Sequence, residues 1–144
     1  MSRKRENVRQ CKAIRQLIDD NKYTKALELI DAIPLEEVGS LDDLYRYAEL
    51  YEKAERMDKK KEIFYHIYHR THSRYMLNRL LRLTIRMGDM EEARELYFAY
   101  EVAGPITLDT FELRYLLAKA EGEPPERLIQ ILEELKKEEY TEEW

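Results

Sequence analysis

Five arginines crowd the middle of this chain, at Arg70, Arg74, Arg79, Arg82 and Arg86, inside a stretch (residues 63–88) that contains no aspartate or glutamate. A guanidinium is a planar fork of N–H donors that grips a carboxylate or phosphate through two bonds at once, so a row of them is chemistry for binding anionic groups. Tyr75, Asn78, Arg79, Arg82 and Arg86 recur at spacings of three and four, which places them on one face of a helix. All three histidines, His66, His69 and His72, fall in the same stretch. His66 and His69 share a helix face, but no carboxylate or cysteine adjoins them and the arginines repel a cation, so no metal is expected. The single cysteine, Cys11, has no histidine near it in sequence to generate a thiolate. No glycine precedes a Lys-Ser/Thr at phosphate-loop spacing. No catalytic residue and no cofactor can be nominated, and the chain reads as a non-enzyme.

The remaining charge is segregated too. The net charge is −5, yet residues 1–15 hold six basic side chains against Glu6 alone, whereas residues 121–144 hold nine acids against three bases. The commonplace reading of a charge run is a solvated face. Apolar residues make up 44% of the 144 positions, too many for a disordered chain, and no apolar run is long enough to span a bilayer. The N-terminus lacks the apolar stretch of a secretory signal, and one cysteine cannot form an intrachain disulfide, so a cytoplasmic setting is expected.

These side chains need elements to position them. Every glycine (Gly39, Gly88, Gly104, Gly122) and every proline (Pro34, Pro105, Pro124, Pro125) falls where apolar periodicity breaks, as in an all-α protein. The 3.6-residue period predicts helices over 6–19, 23–33, 41–56, 59–71, 74–87, 90–103, 108–121 and 125–139. Ser40 and Ser73 are placed to cap the third and fifth helices, and Asp89 with Glu92 resembles a capping box. The acid pairs Asp19-Asp20, Glu36-Glu37 and Asp42-Asp43 are explained by caps and solvation at helix ends. Short connections make consecutive helices antiparallel neighbours.

The pairs repeat. Ala13, Ile14 and Leu17 share columns with Tyr47, Ala48 and Tyr51, and with Leu80, Leu81 and Thr84. Tyr23, Ala26 and Ile30 match Met57, Lys60 and Phe64, then Met90, Ala93 and Tyr97, at offsets of 34 and 33 residues. The fourth pair keeps the hairpin but needs a shift of about one residue. The expected architecture is an α-solenoid of about four antiparallel helix pairs in one domain, 1–144, with repeats over about 6–38, 40–72, 73–106 and 107–140. Lys60 stands where a small residue is expected, which predicts a looser second hairpin. Tyr140-Thr141-Glu142-Glu143-Trp144 reads as a fresh helix start, as though this were the N-terminal part of a longer array.

Gly88-Asp89-Met90, Ala93, Tyr97 and Pro105 make the chain resemble the tetratricopeptide repeat (TPR) family; Asn21-Lys22-Tyr23 and Ala26 carry the same pattern less fully. The resemblance implies a right-handed superhelix in which the first helix of each pair lines a concave surface. That groove would hold Tyr75, Asn78, Arg79, Arg82 and Arg86, joined by Tyr45 and Arg46 (with Glu49 beside them) and by Lys12 and Arg15. Some family members clamp a terminal carboxylate; their clamp positions fall here on Cys11, Arg15, Arg46, Tyr75 and Arg79, of which only Arg79 matches in type, so that clamp is not expected. The function so implied is a non-catalytic scaffold binding a protein or peptide, acidic in character. The alternatives are a helical repeat that binds nucleic acid, which the overall acidity disfavours, and a self-associating structural module.

Overall fold

The structure is a computed structural model that describes the backbone of residues 2–142 and the side chains of residues 4–137. Among the described residues it is all-helical: α1 (Ser2–Asp19), α2 (Tyr23–Ala32), α3 (Leu41–Lys53), α4 (Met57–Thr71), α5 (Arg74–Met87), α6 (Met90–Val102), α7 (Leu108–Ala120) and α8 (Pro125–Glu142), with a short 3-10 turn at Leu35–Glu37 that periodicity does not reveal. The chain divides into two compact units, Met1–Thr71 with α1–α4 and His72–Trp144 with α5–α8. Within the first unit α1 packs on α2, α2 on α3 and α3 on α4; within the second α5 packs on α6, and α7 packs on α5, α6 and α8.

The helix ends follow from local chemistry. Ser40 Oγ accepts from the Asp43 N–H at 3.4 Å, Ser73 Oγ from Met76 at 3.3 Å and Asp89 Oδ1 from Glu92 at 3.2 Å. Each binds an N–H of the first turn, where the helical ladder supplies no carbonyl four residues back; the Met76 N–H also reaches the Ser73 carbonyl at 3.1 Å. Thr107 adds a cap of its own kind, its N–H donating to Thr110 Oγ1 at 3.0 Å. One expectation is corrected at the far end. α8 runs unbroken through Tyr140 and Thr141, where a new helix start was expected, and Trp144 lies outside the described residues.

One backbone turn occurs four times. One or two residues past the first helix of each pair the backbone is left-handed: Asn21 (φ 60°), Glu55 (φ 59°), Gly88 (φ 83°) and Gly122 (φ 76°). The next N–H then bonds the carbonyl five residues back, in Lys22 to Leu17, Arg56 to Tyr51, Asp89 to Thr84 and Glu123 to Ala118, at 2.8 to 3.3 Å. The left-handed residue's own N–H bonds a second carbonyl three residues back, in Asn21 to Ile18, Glu55 to Glu52, Gly88 to Ile85 and Gly122 to Lys119, so the pair of bonds turns the chain back and caps two carbonyls of the helix it closes. The four left-handed residues follow one another at 34, 33 and 34 residues. The second helix starts two residues later at Tyr23, Met57 and Met90, but three later at Pro125. That extra residue is the one-residue shift of the fourth pair.

With the turns aligned, the columns bury as their chemistry asks. Leu44, Leu77 and Phe111 share one column and are all buried; Tyr47 and Leu80 share another, and Ala48 and Leu81 a third. Ala26 and Ala93, the small residues of the second helices, have no exposed surface. Lys60, in the same column, does not open its hairpin as expected: it is 7% exposed, and its Nζ lies 5.3 Å from the Phe64 ring centre and reaches the Glu52 carboxylate at 2.7 Å. A long amphipathic stem fills the space while its charge finds a partner at the edge.

Glycine matters at Gly88 because of φ alone, since an added Cβ meets no atom within 4 Å there. Gly88→Ala should therefore lower the unfolding free energy by about 1 kcal/mol. Gly39→Ala, at an equally open site without a left-handed φ, should leave it nearly unchanged. Urea midpoints of the two variants check this directly.

Candidate binding surfaces

In the first unit, the proposed groove residues divide by their partners. Lys12 and Arg46 face solvent; Arg46 Nη1 lies 4.0 Å from Asp19 Oδ1, both half-exposed, an ion pair of little energetic consequence. Tyr45 is half-buried on α3. Arg15 is committed to the fold. Its Nε and Nη2 donate to the two Asp43 oxygens at 2.9 and 3.2 Å, tying α1 to α3.

Asp43 is the correction behind that bond. Its place near the start of α3 suggested a solvated helix-end acid, yet it is 2% exposed. A buried carboxylate must be paired and hydrogen-bonded, and the two-pronged guanidinium supplies both. The readable signal was its column: Met76 and Thr110, its equivalents when the turns are aligned, are both wholly buried. Beneath the pair lie Cys11 and Tyr47. Burial, and then the neighbouring Cys11 thiol, hold the Tyr47 hydroxyl well above the ordinary phenol range.

Two of the five clustered arginines serve loops rather than a surface. In the first unit, Arg70 donates through Nη1 to the Val38 carbonyl at 2.8 Å and through Nη2 to the Leu35 carbonyl at 3.3 Å, holding the segment that follows α2. In the second, Arg74 donates through Nε to the Tyr100 carbonyl at 2.9 Å and through Nη1 to the Pro105 carbonyl at 2.8 Å, with its guanidinium 4.0 Å from the Tyr100 ring centre. Each strap reaches one carbonyl that also accepts a backbone N–H (Leu35 from Val38, Tyr100 from Ala103) and one in the loop beyond (Val38, Pro105). Gly104 leaves room for the second strap, because a Cβ there would sit 2.7 Å from Arg74 Nη1.

The other three stay on the outward face of α5 in the second unit. Tyr75 is 63% exposed and the Arg79 guanidinium lies 5.8 Å from its ring centre. Asn78 is buried, and its Oδ1 accepts from Arg82 Nε at 2.6 Å. Arg82 Nη1 meets Glu112 Oε1 of α7 at 3.1 Å. Arg82 is thus held in place from both sides, while Arg86, one turn on, is exposed. Sequence reasoning missed Glu112, and it missed Arg114. Arg114 stands in the column of Tyr47 and Leu80 and joins three helices: Nε donates to Tyr97 Oη at 2.6 Å, and the carboxylates of Glu101 and Glu134 lie at 3.6 and 3.7 Å. Burial is the main cause that lifts the Tyr97 hydroxyl, to about 12, with the Glu101 hydrogen bond next.

Among the described residues, no group of three or more His, Cys, Asp or Glu side chains could hold a metal ion, and no helix is long and apolar enough to cross a membrane. His66 sits against the Arg70 strap, with Nε2 2.6 Å from Nη2, and His69 stacks on Tyr65.

Burial and then the Arg70 charge push His66 below the ordinary imidazole value of 6.5, outweighing Glu36, which acts the other way. The unfolded chain therefore binds a proton more readily than the folded one. Stability should be full above about pH 6.5 and fall as the pH drops below it. His66→Gln should flatten that part of the profile, which urea midpoints between pH 7 and pH 5 would show.

Comparison with known proteins found no match to this chain among protein-family models, curated proteins or solved structures.

Proposed function

We propose that the chain is a TPR-like α-solenoid of four antiparallel hairpins in a right-handed superhelix, and that it works as a non-catalytic scaffold for an acidic peptide or protein segment. The family reading is supported by the recurrence of one backbone turn at 34, 33 and 34 residues and by the complete burial of Ala26 and Ala93, where two helices must approach closely. A cytoplasmic setting suits a chain whose only thiol is buried and unpaired.

The observation that carries the binding reading is the outward face of α5. Three guanidinium groups, Arg79, Arg82 and Arg86, follow one another by helical turns beside the exposed ring of Tyr75. The ring offers an apolar plane and the forks offer paired donors, the combination that recognises carboxylates along an extended chain. Arg82 is pre-positioned by Asn78 and Glu112, so a carboxylate entering there adds to an ordered site and need not fix a floppy side chain. Lys12 and Arg46 give the first unit a second, weaker cationic surface.

A fluorescently labelled acidic peptide with a free C-terminus tests this. The wild-type chain should bind it with an affinity that falls as salt is raised, and the Arg79→Ala/Arg86→Ala variant should bind at least about tenfold more weakly. A peptide with lysines in place of the acids should not bind. Equal affinity of variant and wild type would remove the α5 face from the account.

A further inference from the structure

The first turns of α1 carry a surface that the role of α5 leaves unused. Lys4, Arg5, Val8 and Arg9 line an open hollow of about 500 Å³. Its charged members are all cations, and Glu6, the one acid of residues 1–15, does not line it. Val8, its apolar member, is 61% exposed. Lys12 is exposed too and continues the row. Arg5, Val8, Arg9 and Lys12 recur at spacings of three and four, so they share one face of the helix. The residues that α1 buries in the first unit, Cys11 and Ile14, lie on its other side.

A hollow of this make-up suits a ligand of definite chemistry. A flat apolar ring can seat on Val8 and on the stems of the arginines, and carboxylates beside that ring meet guanidinium and ammonium groups. One segment of this chain has that composition. Residues 138–144 read Glu-Glu-Tyr-Thr-Glu-Glu-Trp, four acids without a base, with Tyr140 and Trp144 four positions apart. Each ring follows a pair of glutamates directly. The charge excess of residues 1–15 is opposite to that of residues 121–144, so attraction between the two ends acts before any contact forms.

We infer that residues 138–144 of one copy dock on the α1 hollow of a second copy. Trp144 seats at Val8, and the glutamates meet Arg5, Arg9 and Lys12. The two surfaces differ, and each copy offers one of each, so the contact does not close on a pair and larger assemblies form as concentration rises. Exposed ion pairs are individually weak, which makes the contact reversible and salt-sensitive. The α5 arginines take no part in it, so it stands or falls apart from the role given to that face.

Light scattering and the emission of Trp144, the only tryptophan, follow the full chain through a dilution series at low and at high salt. We expect the mass to rise above that of a monomer with concentration at low salt, the emission to shift to the blue with it, and both changes to vanish at high salt. Arg5→Glu/Arg9→Glu/Lys12→Glu and Glu138→Lys/Glu139→Lys/Glu142→Lys/Glu143→Lys should each need at least about tenfold more protein to associate. An equimolar mixture of the two should associate again, because each then offers the other an opposite charge, and that recovery also shows both variants folded. Val8→Ser should weaken association while leaving helical circular dichroism unchanged. A wild-type chain that stays monomeric throughout at low salt overturns the inference. So does association that survives the α1 reversal, or that is lost in Arg79→Ala/Arg86→Ala instead, which would assign the acidic segment to α5.

Discussion

Everything in this structure depends on a backbone hydrogen bond that no side chain makes. At the end of each first helix a single residue turns left-handed, and the next N–H reaches the carbonyl five residues back. The bond reverses the chain within a few residues and sets where the second helix begins. Once that is set, side chains at the same distance from the turn are buried alike, as Leu44, Leu77 and Phe111 are. Three of the four copies place Gly or Asn at the turn, the residues that adopt left-handed backbone most readily, and the fourth places Glu55. Left-handed backbone costs an ordinary residue about 1 kcal/mol or more, so Glu55 occupies its turn at a cost that the hairpin around it offsets.

Charge in this chain is governed by where unsatisfied backbone and buried carboxylates lie. Arg70 and Arg74 go to loop carbonyls, Arg15 to a buried aspartate, and Arg114 to a tyrosine and two glutamates. Each position offers acceptors that the fold leaves short of donors, and a guanidinium, with five N–H groups and a long stem, reaches several at once. Lys60 does the same work with a single bond to Glu52. A cluster of arginines in sequence thus divides into straps that hold loops and a row that meets solvent. The row on α5 keeps its order because one of its members is fastened to Asn78 and Glu112.

The surfaces this leaves have distinct characters. The face of α5 is cationic and aromatic, and the hollow between α7 and α8 is apolar with Glu112 as its one charged lining residue. They meet at Glu112, which belongs to both. In the core beneath, the buried side chains Asp43, Asn78 and Lys60 each have a bonded partner.

How much of this was legible in the residues follows from the range of each interaction. Helices, caps and period were readable, because an i to i+4 ladder, a serine hydroxyl on an N–H three residues on, and glycines at Gly88 and Gly122 all act within one or two turns. Composition and spacing also placed Tyr75, Asn78, Arg79, Arg82 and Arg86 on one helix face. The destinations of the charged groups were not readable. Arg15 finds Asp43 across 28 residues, Arg70 finds Val38 across 32, and Arg74 finds Pro105 across 31. Only packing brings such groups together, and nothing in an arginine's neighbours along the chain says whether it will meet a carbonyl, a carboxylate or water. The sequence alone determined where the chain is helical and where it turns. The tertiary structure decided which charges hold loops and buried carboxylates and which stay at the surface, because burial sets the value of a charge and burial is a property of the whole packed unit.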